Sequence, residues 1–162
     1  MAALVYPSGI NGVLTPYGTS VLLTSLFQAQ PALPHIWLAL LWSMPSDIHD
    51  GLTMPEVQST VPDPEGSGLE IQTGYQRAYY PSVDETGRMR WNQSSSRSVY
   101  NIDPIIFPQA ESPWGAVRGW AITDALKGGN IIAGGMMDVI VDTGDQVVVD
   151  PNNLGFVVIQ GA

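Results

Sequence analysis

The feature that most constrains this chain is its punctuation: 13 prolines and 17 glycines are spread through 162 residues, with short apolar runs between them. A break roughly every eight to twelve residues leaves little room for long helices and is the spacing of an all-β sandwich or barrel. One segment reads as a helix. Thr15 can cap it, Pro16 takes the first helical position, and Val21, Leu22, Leu23, Leu26 and Phe27 give an apolar face before Pro31 and Pro34 stop it. Residues 36–42 follow as a strand that is apolar on both faces, and so is expected in the middle of the structure. Residues 43–71 turn polar and proline-rich, and read as a long loop whose mobile tip is 61–68. A loop of that length is usually functional or a contact arm.

Strands resume at 75–83, at 89–92 after a turn at Gly87, and at 99–107, where Pro104 marks an edge or bulge. The last third is the clearest: 116–122, a turn over 124–130, then 130–141 kinked at Gly134-Gly135. A hairpin at Thr143-Gly144-Asp145 leads into 146–149, and a turn at Pro151-Asn152-Asn153 into 154–160. Tight turns between consecutive strands imply antiparallel pairing. The expected fold is an all-β, antiparallel, jelly-roll-like β-sandwich of about eight strands with one short N-terminal helix. Residues 15–162 form a single domain with its long loop at about 43–71. Residues 1–14 form an N-terminal arm whose apolar Leu4, Val5 and Tyr6 could lie on a neighbouring subunit.

Charge narrows the partners. The net charge is −9 and charged residues are only 13% of the chain, about half the usual share. Phosphate backbones would repel such a chain, so no nucleic-acid partner is expected. A weakly charged surface suits contact with other protein, because fewer ions need desolvating. Arg77, Arg88, Arg90 and Arg97 lie in one central stretch, whereas Asp138, Asp142, Asp145 and Asp150 follow with no base among them. That polarity is compatible with a head-to-tail contact between copies, and equally with unrelated solvated side chains. Cysteine is absent, which removes disulfides and thiolate metal sites and fits assembly in a cytosol. Residues 1–10 show no secretory signal, and the longest apolar run, 36–42, is too short to span a bilayer, so no membrane partner is expected.

A search for chemistry finds no catalytic residue, metal or cofactor to commit to. His35 reads as satisfying a hydrogen bond beside a buried strand. Asp47-Ile48-His49-Asp50 could supply metal ligands, but a solvated turn is the preferred reading. Asp142, Asp145, Asp150 and Asn152 do not follow the spacing of a compact calcium loop. No serine stands in a Gly-x-Ser-x-Gly elbow, and Gly128-Gly129 and Gly134-Gly135 lack the ending of a phosphate loop. Trp37 and Trp42 are expected in the core. Trp91, Trp114 and Trp120 with Tyr75, Tyr79 and Tyr80 could line a sugar-binding shelf, though filling the core or a subunit interface is preferred. Tyr75 and Arg77 should share a strand face, where Arg77 could pair with a carboxylate from the last hairpins. Trp114-Gly115 would set a large ring where glycine allows close approach. Tyr75, Arg77, Trp114, Gly115 and Trp120 are thus expected to hold the fold or an interface.

Several segments, taken in order, resemble a family of small structural proteins of tailed bacteriophages. They are Pro34-His-Ile-Trp-Leu-Ala-Leu40, Gly74-Tyr-Gln-Arg-Ala78, Asn101-Ile-Asp-Pro-Ile-Ile-Phe-Pro-Gln-Ala110 and Trp114-Gly-Ala-Val-Arg-Gly-Trp-Ala-Ile-Thr-Asp-Ala125, with Gly128–Gly135 and Val141–Val147 after them. The resemblance covers the chain from about Thr15 onwards. It implies a non-enzymatic virion component, assembled in the host cytoplasm. The leading expectation is a capsid decoration (cement) protein, a homotrimer that stabilises the shell by bridging the major capsid protein. The alternative is a receptor- or carbohydrate-binding module associated with the tail or tail fibre.

Overall fold

A computed structural model describes residues 3–5, 7, 10–27, 35–43, 54–82, 84–95 and 98–157. In chain order the elements are β1 (Leu4–Val5), β2 (Ile10–Leu14), α1 (Pro16–Phe27), β3 (Trp37–Leu41), β4 (Thr60–Pro62), β5 (Glu70–Gln72) and β6 (Ala78–Tyr79). Then come β7 (Trp91–Ser95), β8 (Ser98–Asn101), β9 (Ile105–Gln109), β10 (Gly115–Thr123), β11 (Ile131–Val141), β12 (Gln146–Val149) and β13 (Leu154–Val157). The protein is mostly β, as its punctuation requires.

The one helix among the described residues begins as the sequence reads. The Gly18 N–H donates to Thr15 Oγ1 at 3.0 Å, the bond of an N-cap, and Pro16 opens the first turn. Thr15 also fixes the helix to the sheet, because its hydroxyl donates to the Ile132 carbonyl at 3.0 Å.

Eight strands form the main sheet in the order β6-β3-β10-β11-β2-β13-β8-β7, three form a smaller one, β1-β12-β9, and β4-β5 is a separate hairpin. The described strands thus number thirteen in three sheets, where about eight in one sandwich were expected. Most pairs are antiparallel, but β1 with β12 and β13 with β2 are parallel. Part of the excess comes from Pro104. The stretch read as one strand is two, β8 in the main sheet and β9 in the small one, with the chain crossing between sheets at the proline. Proline cannot donate to a ladder, so a strand gives way there.

One apolar cluster draws on both sheets. Leu38, Leu40, Val117, Trp120, Ile122, Val139 and Val141 of the main sheet meet Ile105, Phe107, Val147 and Val149 of the small one. On the other face of the main sheet a second cluster contains Ala39, Leu41, Ala121 and Ile131. Alternation along β3 therefore sends Leu38 and Leu40 to one core and Ala39 and Leu41 to the other. This is the two-sided burial that its apolar run predicts.

The N-terminal segment is the main correction. Within residues 1–14, expected as an arm, the described strands lie in the sheets: β2 pairs with β11 on one side and β13 on the other, inside the main sheet, and β1 pairs with β12. Val5 packs against the main core while Leu4 is exposed, and Tyr6 lies outside the described residues. The reason is geometric and local to Gly12. A methyl group there would lie 2.5 Å from the Trp120 ring and 2.8 Å from the Gly134 carbonyl oxygen, so only glycine lets β2 cross at this distance. Gly12→Ala is expected to destabilise the fold by about 1–3 kcal/mol, the usual cost of overpacking a dense core. A urea unfolding curve measures it as a lowered midpoint.

Candidate functional site

Tyr75 and Arg77, two residues apart, converge on one carboxylate. The Tyr75 hydroxyl and Arg77 Nε both donate to Glu56 Oε1 at 2.7 Å, and Arg77 Nη2 donates to Oε2 at 2.7 Å. Arg77 Nη1 donates to Thr123 Oγ1 at 2.9 Å and to the carbonyls of Ala125 at 2.6 Å and Gly128 at 2.9 Å. The Arg77 side chain is 2% exposed and that of Glu56 17%. This is a bidentate, charge-assisted pair with nearly all of its donors committed. The Leu40 N–H donates to the Tyr75 oxygen at 3.0 Å, which ties the cluster to β3. Burial first, and the Glu56 charge second, hold the Tyr75 phenol well above its ordinary value of 10, so it stays a donor.

Tyr75 and Arg77 converge although they precede β6 and do not sit on a strand, and the partner of Arg77 differs from expectation. The carboxylate comes from Glu56, in the long loop, whereas the hairpin after β10 gives carbonyl oxygens. Glu56 reaches the site because its neighbours Met54 and Val57 are buried and Glu56 itself bridges to Leu41. Further along, the loop is built as the β4-β5 hairpin, closed by the Gly66 N–H donating to the Asp63 carbonyl at 3.0 Å. Its sequence between 44 and 53, with Asp47, His49 and Asp50, lies outside the described residues.

Trp114 stands edge-on to Tyr75 with ring centroids 5.4 Å apart, and its Nε1 donates to the Thr73 carbonyl at 2.8 Å. Trp42 Nε1 donates to the Trp114 carbonyl at 2.7 Å. Trp114 and Trp120 are both buried within this chain. Gly115 is required for a different reason from the one expected. A Cβ there would meet open space, but its φ of 76° is a left-handed conformation that glycine adopts freely.

At the other side of the β10-β11 turn, Asp124 joins helix to sheet. It accepts from the Tyr17 hydroxyl at 2.9 Å, the Asn130 N–H at 2.7 Å and Asn130 Nδ2 at 2.9 Å. Burial pushes its carboxyl up, but the Asn130 and Tyr17 hydrogen bonds outweigh it and leave it below its ordinary 3.8. A carboxyl lowered on folding stabilises above its unfolded value, and that contribution is lost as pH falls through the folded one. Stability is therefore expected to be flat at neutral pH and to fall below 3.8, with Asp124 contributing about 1 kcal/mol. Asp124→Asn should remove that share of the acid dependence in unfolding curves recorded across pH.

The positive charges are mostly paired inside the chain. Arg88 pairs with Asp84 and Asp103, Arg90 with Asp103 and Arg118 with Asp138, while Arg97 lies outside the described residues. Among the described residues no three carboxylates and histidines come together as a metal site, and Asp142 and Asp145 close their own turn instead.

Of the aromatics read as a possible sugar shelf, Tyr75, Tyr80, Trp114 and Trp120 are buried, and Trp91 is half-buried edge-on to Tyr80. Only Tyr79 is exposed, at 49%. It is joined by Trp37 and His35. Trp37, expected in the core, is half-buried directly opposite Tyr79 across the β3-β6 ladder, with ring centroids 5.4 Å apart. His35 is exposed beside them, its Nδ1 hydrogen-bonded to the Tyr79 hydroxyl at 2.7 Å. The sequence carried no signal for this, because residues 36–42 read as one apolar strand with Trp37 inside it.

Comparison with known families gives one match to report: a family model described as "Gp80: Podophage GP4 fiber I protein gp80" matches residues 15–156. No curated protein matches the chain.

Proposed function

From the premise that this chain belongs to the podophage GP4 fiber I protein gp80 family, and is a structural protein of a phage virion, we propose that it is a component of the tail fibre. The observation that carries the reading is the extent of the match, which runs from the cap of α1 into β13 and so takes in the Arg77 cluster and the strands β3 to β12. The family description favours the tail-fibre alternative over the capsid-decoration role that the sequence suggested first. It names a fibre protein, which supports a structural role.

The buried ion pair supports a mechanical role. It ties the long loop, the segment before β6 and the β10-β11 turn at one point, and a fully bonded polar cluster resists rearrangement. Within the fibre we propose that copies associate, as a homotrimer. Light scattering of the purified chain should then give three times the 17.4 kDa chain mass. Gold-labelled antibody against the chain, imaged on intact particles, tests the location. Label along the tail fibres is expected. Label distributed over the head would return the capsid-decoration reading and overturn this one.

A further inference from the structure

Half-buried Trp37 and exposed Tyr79 meet at the end of a sheet, whereas Tyr75, Tyr80, Trp114 and Trp120 are buried. Trp37 and Tyr79 face the same side of the β3-β6 ladder, with rings inclined at 45°. His35 stacks against Tyr79 at 5.9 Å, and β6 is the terminal strand of the main sheet among the described residues. Cross-strand aromatic packing pre-orders the rings. The His35 bond to the Tyr79 hydroxyl fixes the Tyr79 ring from its far end. Such a surface is rigid before any ligand arrives, which reduces the entropy lost on binding.

Tyr79 also borders a cleft of about 450 Å³ whose other walls are Pro81, Asp84, Glu85, Thr86, Arg88, Arg90 and Asp103, a volume within the range of roughly 300–1,000 Å³ usual for ligand pockets. Its polar groups are held in place. Asp84 accepts from the Thr86 N–H at 2.9 Å, the Thr86 hydroxyl at 2.6 Å and the Arg88 N–H at 2.9 Å, and Arg88 bridges to Asp103 at 2.9 Å. Glu85 makes no ion pair among the described residues. The two arginines are matched by Asp84 and Asp103, so the cleft has no surplus positive charge to attract an anion.

We propose that this edge binds a neutral polysaccharide. The C–H face of a sugar ring packs on Trp37 and Tyr79, and the next rings lie in the cleft, with hydroxyls donating to Glu85 and the fixed carboxylates. Planar aromatic rings with a polar rim suit a ligand that has one apolar face and a ring of hydroxyls. The charge balance of the cleft selects neutral over acidic sugars. The site deepens the fibre reading, since it would give the fibre a surface contact on a glycan, and it rests on that reading only for its biological setting.

The test uses the full chain with immobilised dextran, mannan, cello-oligosaccharides and chito-oligosaccharides, beside uronic-acid and sulfated polysaccharides as charged probes. Binding to at least one neutral glycan is expected, with tryptophan fluorescence changing on titration. Tyr79→Ala should weaken it tenfold or more, and Glu85→Gln severalfold. Trp37→Phe should keep stacking while removing the fluorescence response. Tyr79 is half exposed on a terminal strand, so circular dichroism of Tyr79→Ala should match the parent. No binding to any neutral glycan, binding to charged glycans alone, or a folded Tyr79→Ala that binds like the parent would each overturn the proposal. So would Tyr79→Ala dissociating an oligomer without affecting any glycan, which would make the edge a contact between copies. The particle labelling above separates the two readings. Fibre label without glycan binding sinks only this site, and glycan binding with head label sinks only the fibre assignment.

Discussion

Replacing Arg77 with alanine is expected to cost about 3–5 kcal/mol, the loss usual when one partner of a buried ion pair is removed. The size follows from what is left behind. Glu56 keeps its charge in a position only 17% exposed, with the Tyr75 hydroxyl as its remaining side-chain donor. The Gly128 carbonyl loses its Arg77 donor, whereas that of Ala125 keeps the Thr123 hydroxyl, and a buried acceptor left unsatisfied costs about 1–3 kcal/mol. Since small domains are stable by only about 5–15 kcal/mol, Arg77→Ala should leave a protein that melts near ambient temperature or does not accumulate. Arg77→Lys should rescue little of this, because an ammonium cannot grip both Glu56 oxygens and reach the β10-β11 turn together. The double variant Arg77→Met, Glu56→Met is expected to be more stable than Arg77→Ala, because it removes the stranded charge with its partner. Urea unfolding of the four proteins measures the series. A double variant no better than the single would mean that the turn carbonyls, and not the charge on Glu56, set the cost.

Deleting residues 1–14 is expected to abolish cooperative unfolding altogether. The lost strand β2 stands between β11 and β13, so its removal cuts the main sheet and leaves β13, β8 and β7 with no ladder to β11. It also uncovers the Trp120 ring that Gly12 packs against. Deleting only residues 1–5 removes β1 from the outside of the three-stranded sheet and should be far milder. Near-ultraviolet circular dichroism and the sharpness of a thermal melt distinguish the two truncations. If the longer deletion melts like the parent chain, residues 1–14 are a dispensable arm after all.

The Arg77 cluster was half legible. Two residues of alternate spacing, one tyrosine and one arginine, were enough to expect a shared face and a fold-holding role. The counter-charge was not legible, because Glu56 lies in a segment whose composition is that of a loop. Its one signal was the apolar pair around it, Met54 and Val57, which could only be buried by laying that stretch on the sheet. The aromatic edge was obscured for the opposite reason. Trp37 sits in the most apolar run of the chain, and hydrophobicity alone could not tell its half-buried end from its buried middle.

By itself the sequence determined that the protein is β-rich with one capped helix, that β3 is buried on two faces, and where the strands and turns of the last third fall. Each of these depends on spacing within a few residues, on glycine and proline, and on alternation, and so is decided by local sterics. Of the consecutive pairs expected in the last third, only β10–β11 forms a hairpin among the described residues, since β12 pairs with β1 and β9 and β13 with β2 and β8. Only the tertiary structure decided which strands lie side by side, that β2 threads the centre of the main sheet in parallel with β13, and that Glu56 answers Arg77. It also decided that Trp37 and Tyr79 face outward together. Those outcomes rest on register between segments far apart in the chain, where many pairings satisfy the same local pattern and only the packing of the whole core selects one.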